Sequence, residues 1–98
     1  MEIMKNLNGT ALDIALTGRL DTTTAPALEA ELKASVDGIS ELILDFSGLQ
    51  YISSAGLRVL LTFQKIMNKQ GSMVIRNVNE DINDVFEITG FCDILTIE

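Results

Sequence analysis

Leu44-Asp45-Phe46-Ser47-Gly48-Leu49-Gln50-Tyr51-Ile52-Ser53-Ser54-Ala55-Gly56-Leu57-Arg58-Val59-Leu60-Leu61 is the stretch on which the fold turns. It enters from Glu41–Phe46, an apolar run of strand length bounded by polar residues, which reads as a strand buried on both faces. A loop follows, and then a helix from about Ala55 to Lys69 whose first turn opens at Ser53-Ser54. On a helical wheel Gly56, Val59, Leu60, Phe63 and Met67 share one face, with Ile66 at its margin. Arg58, Thr62, Lys65 and Lys69 share the opposite face and read as a solvated stripe. Leu57 and Leu61 fall beside Gln64 and Asn68, off the main apolar stripe. Either the core face is broad, or this pair is an apolar anchor for a partner next to Ser54.

Upstream, a weak strand near Met1–Lys5 precedes the Asn8-Gly9 turn signal. Leu12, Ile14 and Leu16 then alternate in period two within Ala11–Gly18, the pattern of a half-buried strand hairpinned to the first. Asp21-Thr22-Thr23-Thr24 supplies a helix start, with Thr24 as cap and Pro26 in the first turn, where its missing donor costs nothing. Leu28, Leu32 and Val36 recur at four-residue spacing, and Gly38 ends that helix. Downstream of the central stretch, Gly71 breaks the second helix and Ser72–Arg76 is a short strand. A third helix covers about Asn79–Thr89, with Ile82, Val85, Phe86 and Thr89 turned inward. Gly90 closes it, and Ile94–Ile97 suggests a last strand.

The order β-β-α-β-α-β-α-β predicts an α/β fold, with a single mixed sheet of about five strands and helices packed against it. Residues 1–98 make one domain, because the chain has room for one core and no linker or repeat divides it. The unit from Leu42 to Ile75 predicts a right-handed crossover between parallel strands. Functional groups of such sheets lie outside the carboxyl ends of the strands, which directs attention to the loops after Leu16–Gly18 and Asp45–Phe46.

Composition narrows the chemistry. Fourteen acidic against seven basic residues give a net charge of −7, which disfavours phosphate-backbone contacts to nucleic acid and docking on an anionic membrane. There is no histidine, hence no Ser-His-Asp triad and no imidazole metal site. One cysteine, Cys92, allows neither an internal disulfide nor a thiolate cage, and its apolar neighbours suggest an inert core thiol. No tryptophan and a single tyrosine, Tyr51, are thin for stacking bases or sugars. The start lacks a signal-peptide pattern, and no run approaches a membrane span, so a cytoplasmic domain without cofactor or metal is expected.

What remains is hydroxyl and carboxylate chemistry at the second helix. Its first turn carries free N–H groups and a partial positive charge, which would stabilise a phosphate esterified to a serine there. A serine before an apolar periodic run is most often a plain N-cap, so Ser53 and Ser54 stand between these two roles. Asp21 and Asp45, each near the end of a strand, are expected on the same edge as Ser54. There they either orient the hydroxyl and meet a basic partner group, or satisfy turn donors.

Asp45-Phe46-Ser47-Gly48-Leu49-Gln50-Tyr51-Ile52-Ser53-Ser54-Ala55-Gly56-Leu57 closely resembles the signature of the STAS domain, the family named for sulfate transporters and bacterial anti-sigma factor antagonists. Gly18-Arg19-Leu20-Asp21, ahead of the Thr-rich helix start, is similar to that family's first motif. The resemblance runs along essentially the whole chain and implies an anti-sigma factor antagonist in a partner-switching pathway. In that scheme the unmodified, monomeric antagonist binds an anti-sigma factor that is itself a serine kinase, and so frees the sigma factor. Phosphorylation of one serine at the start of the second helix blocks binding, and a metal-dependent serine phosphatase restores it. Counting back from Gly56-Leu57 puts the implied acceptor at Ser54. Many antagonists carry an aspartate at the preceding position, where this chain has Ser53, which stays open as the alternative acceptor. The partner face so implied comprises Asp21, Thr22, Asp45, Ser53, Ser54, Gly56, Leu57, Arg58 and Leu61, on a chain acidic enough to meet a basic patch.

Three other roles stand beside this one. A hydrolase without histidine needs a Ser-Lys or carboxylate mechanism, and no lysine neighbours Ser54 in sequence. A receiver domain phosphorylated on Asp45 would need an acidic pair after its first strand and a lysine after its last, neither of which is present. A STAS module that never switches, serving as an interaction or scaffold subunit, shares all of the features above.

Overall fold

The computed structural model describes residues Met1–Glu98. Chain order is β1 (Glu2–Asn8), β2 (Ala11–Leu20), α1 (Ala25–Ser35), β3 (Glu41–Ile52), α2 (Ser54–Gln70), β4 (Ser72–Arg76) and α3 (Glu80–Thr89), then a 3-10 turn at Phe91–Asp93. The four strands lie in the sheet in the order β1-β2-β3-β4. Asn8 pairs with Ala11 across a tight turn in which Gly9 takes φ +65°, so β1 and β2 form the antiparallel hairpin that Asn8-Gly9 predicts. β2, β3 and β4 are mutually parallel.

That order decides which face is buried. The β2-α1-β3 and β3-α2-β4 connections step across the sheet in the same direction. Two crossovers of the usual right hand that do so must lay both helices on one face. Burial follows this rule. Leu12, Ile14, Leu16, Leu42, Leu44, Phe46, Met73 and Ile75 are buried with Leu28 and Leu32 of α1, Phe63 and Met67 of α2, and Ile82 and Phe86 of α3. On the other face Ala15, Ile43, Asp45 and Val74 are only half-buried, and Asp13 and Arg76 are exposed. The expectation that β3 is buried on both faces is therefore corrected: helices cover one side only. The uncovered side holds a shallow depression of about 420 Å³ lined by Met4, Asn6, Asp13, Asp45 and Arg76 among others.

β3 also continues through residues expected to form a loop. Ser47-Gly48-Leu49-Gln50-Tyr51-Ile52 stays in the sheet, paired with Thr17–Leu20. Two register shifts, between Ala15 and Thr17 and between Gly18 and Arg19, each give β3 one extra residue. Each bulge resets which side chain faces the core. The buried residues Phe46, Leu49 and Ile52 consequently recur every third position, a spacing that disguises a strand.

The remaining departures are local. The last strand is reduced to one parallel bridge between Ile75 and Ile97, held by Ile75 N–H donating to the Thr96 carbonyl (2.9 Å) and Glu98 N–H to that of Ile75 (2.9 Å), so the sheet has four strands. The 3-10 turn uses up the chain that a fifth strand would need. α1 ends at Ser35, with Val36 as its C-cap and Gly38 (φ +80°) in the loop beyond. Thr89 is exposed, its hydroxyl donating back to the Val85 carbonyl at 2.7 Å. Cys92 is exposed on that 3-10 turn, so it is not a core thiol. Gln64, on the core side of α2, is 2% exposed; its amide donates to Asn68 Oδ1 (2.8 Å) and accepts from Thr96 N–H (3.3 Å), tying the C-terminal segment to the helix.

Candidate functional site

The carboxyl ends of β2 and β3 are Leu20 and Ile52, paired with each other. The chain leaves them at Asp21 and at Ser53, and these two exits build the site.

At the first exit Thr24 holds the N-cap position, but no side chain caps α1, and Asp21 organises the turn that precedes it. Asp21 Oδ1 accepts from the Thr23 N–H (3.0 Å), the Thr23 hydroxyl (2.7 Å) and the Thr24 N–H (3.2 Å). Thr24 caps nothing with its side chain; its hydroxyl accepts from Asp21 N–H (2.8 Å) and donates to the Arg19 carbonyl (2.8 Å). The Thr23 hydroxyl is the largest influence on the Asp21 carboxyl and, with help from the Thr23 and Thr24 amides, holds it below its usual pKa against desolvation, which ranks second and opposes them. Asp21 is thus an ionised, turn-organising carboxylate at the edge. Thr22, between them, is exposed.

At the second exit Ser53 is the N-cap of α2 in extended conformation, and Ser54 is the first helical residue, exposed to solvent. The first helical hydrogen bond runs from Leu57 N–H to the Ser53 carbonyl (3.0 Å). The amides of Ser54, Ala55 and Gly56 therefore have no intrahelical acceptor, and no side chain caps them. Ser53 Oγ is buried without a hydrogen-bond partner, so the plain N-cap role is not filled by that hydroxyl.

Gly56 explains why this turn sits so tightly on the strand ends. A Cβ there would lie 2.7 Å from Leu20 Cγ and 2.9 Å from Ile52 Cγ1. The missing side chain lets α2 start directly above the Leu20–Ile52 pair and brings Ser54 beside the Asp21 turn. Gly56 and Leu57 are both buried, so the broad core face accounts for Leu57, and neither presents a side chain to a partner. Leu61 is half-buried and Arg58 exposed. Between the starts of α1 and α2 lies a cleft of about 200 Å³ lined by Thr22, Pro26, Glu29, Ala55, Arg58 and Thr62, among others.

Asp45 is not at this edge. It lies mid-strand, opposite Ala15 and Arg76 on the uncovered sheet face. β2 advances five residues from there to Leu20, about 16 Å at roughly 3.3 Å per residue. Its Oδ1 accepts from Asn77 Nδ2 (3.0 Å) and Ser47 N–H (2.9 Å), which hold the carboxyl below its usual pKa in that order of effect, against partial burial. It satisfies local donors rather than orienting Ser54. The expected common edge therefore holds for Asp21 and fails for Asp45, because β3 runs on past it.

Two site residues were missed as a pair. The Arg19 guanidinium lies 4.2 Å from the centroid of the Tyr51 ring, and Arg19 Nε is 3.8 Å from Asp21 Oδ2. Both residues are exposed at the strand ends. Arg and Tyr are the side chains most favoured at interface hot spots, but their pairing depends on a register shifted by both bulges. The edge is consequently mixed in charge, with Arg19 beside Asp21 and Arg58 lining the cleft between α1 and α2, on an otherwise acidic chain. No helix is long and apolar enough to cross a membrane.

The chain is similar to known proteins along nearly its whole length. Residues 2–98 match the model of the STAS domain. BtrV of Bordetella bronchiseptica, named as an anti-sigma factor antagonist, is 43% identical over 84 residues, spanning 84% of this chain and 72% of BtrV. The anti-sigma-B factor antagonist of Bacillus subtilis is 30% identical over 98 residues, 99% of this chain and 88% of that one. Among solved structures, the anti-sigma factor antagonist SpoIIAA superposes in its unphosphorylated form with a TM-score of 0.78 at 16% identity, covering 99% of this chain and 87% of SpoIIAA. SpoIIAA in its phosphorylated form gives 0.77 at 17% identity, covering 99% and 91%. With a family match along nearly its whole length and the strand–serine–helix edge in place, the chain belongs to the STAS domain family.

Proposed function

We propose that this protein is an anti-sigma factor antagonist that works by partner switching and is a substrate and ligand rather than a catalyst. In its unmodified form it binds an anti-sigma factor serine kinase as a monomer, in the cytoplasm, through Asp21, Thr22, Ser53, Ser54, Arg58 and Leu61, with Arg19 and Tyr51 added to that face. The kinase phosphorylates Ser54, and the phosphate blocks rebinding until a metal-dependent serine phosphatase removes it. The observation that carries this reading is the exposed hydroxyl of Ser54 on an uncapped first turn of α2, where amide donors and the helix dipole favour an added phosphate. Ser53 is the weaker acceptor, since its hydroxyl is buried. The names of BtrV and the Bacillus subtilis relative support the antagonist role, and the two recorded forms of SpoIIAA support a phosphorylated state on this fold.

Intact-mass measurement after incubation with ATP and the cognate kinase tests the proposal. A gain of one phosphate mapped to Ser54 is expected. No gain with a kinase active on another substrate overturns the switch and leaves the non-switching scaffold role.

A further inference from the structure

Of the seven cationic side chains, Lys5, Arg19, Lys33 and Arg76 are already paired with carboxylates. Arg58, Lys65 and Lys69, all on α2, are not. Lys65 and Lys69 lie further along the helix, about 16 Å or more from position 54 at roughly 1.5 Å per residue. Arg58 is four residues after Ser54, and side chains at that spacing stand one above the other, with Cβ atoms about 5–6 Å apart. It is exposed, and it lines the cleft between α1 and α2. One guanidinium without an ion pair is therefore carried one helical turn from the Ser54 hydroxyl, on the same side of α2.

We propose that Arg58 is the intramolecular receiver of the Ser54 phosphate: once position 54 is phosphorylated, the guanidinium folds over the phosphate and forms a charge-assisted pair with it. This rests on the reading of Ser54 as the acceptor and adds what the phosphate does next. A phosphate acceptor N-terminal to an arginine at i, i+4 is the favourable orientation on a helix, and a guanidinium fork matches phosphate oxygens two at a time. The consequence is a double change at the partner face. Phosphorylation adds negative charge at Ser54 and in the same event withdraws the positive charge of Arg58 from any partner group it had met. Arg58 is here a positioning residue; it takes no part in phosphoryl transfer.

The test uses full-length protein with phosphoserine placed at position 54 during translation, so that no kinase is needed. Its ³¹P resonance is titrated at low salt in the wild-type background and in Arg58→Gln and Arg58→Lys. Unphosphorylated forms of all three are first checked for equal thermal midpoints, as expected for an exposed side chain. A second ionisation of the phosphate about half a unit or more lower in the wild type than in Arg58→Gln is expected, with Arg58→Lys between them, because a nearby cation favours the dianion. Superimposable titrations of wild type and Arg58→Gln overturn the proposal. Failure of a kinase to modify Ser54 would show separately, in the mass measurement above, and would leave these titrations unaffected.

Discussion

The Ser53 amide donates to the Leu20 carbonyl at 2.9 Å, so the residue that starts α2 is bonded to the last residue of β2. Asp21 follows Leu20 directly. The two chain exits that make up the site are thus fastened by a backbone bond, and the bare Cα of Gly56 lets the first turn of α2 close down on it. Substitutions at the edge are expected to change recognition with little change in fold.

Ser54→Ala is expected to fold, to bind the anti-sigma factor and to resist phosphorylation. Ser54→Asp is expected to weaken binding by roughly tenfold or more through the charge it places on the face. Calorimetric titration with the anti-sigma factor measures both, and unchanged affinity of Ser54→Asp would count against the electrostatic switch.

Ser53→Ala separates a capping serine from a strained one. Loss of a working N-cap costs about 1 kcal/mol, whereas removal of a buried hydroxyl without a partner is neutral or stabilising by up to roughly 1 kcal/mol. Since Ser53 Oγ has no partner, urea unfolding should place the variant at or above wild type.

Gly56→Ala should destabilise the protein by about 1–3 kcal/mol, because the added methyl meets Leu20 and Ile52 below 3 Å. That outweighs the gain of up to about 1 kcal/mol in helix propensity. Denaturant melts give the number; a stabilised Gly56→Ala would mean that α2 is not seated on the strand ends as described.

Asp45→Ala should cost about 1–2 kcal/mol at pH 7 through the lost bonds to Asn77 and Ser47, with no effect on affinity for the anti-sigma factor. Those bonds hold the folded carboxyl below its usual pKa. Its stabilisation is therefore complete above the unfolded value of roughly 4 and is lost as pH falls through the lower folded value. Urea melts at pH 7, 5 and 3 should show wild type and variant converging only at the acid end. Asp21, shifted in the same direction, adds to the loss of wild-type stability in acid.

Much of this was legible in the residues. α2 and α3 announce themselves by apolar spacing, and the hairpin by Asn8-Gly9 and the alternation of Leu12, Ile14 and Leu16. Ser54 could be placed because a helix start can be read locally. β3 could not be followed past Phe46, because two bulges turn an alternating pattern into one of Phe46, Leu49 and Ile52. That one loss misplaced Asp45 and hid the Arg19–Tyr51 contact, since both depend on register. The bare rear of the sheet was equally hidden: it follows from the direction of two crossovers, which no single segment encodes. At the start of α1, several adjacent residues could each cap, and only geometry shows that none of their side chains does, Asp21 and Thr24 both bonding within the preceding turn.

The uncovered sheet face has a practical side. A fluorophore attached at Asp13, which is exposed there, sits behind the sheet from every helix and well short of the strand ends that carry Ser54. It offers a reporter position from which binding at the helix edge can be sought without steric interference, and a tether for immobilising the protein with the start of α2 outward.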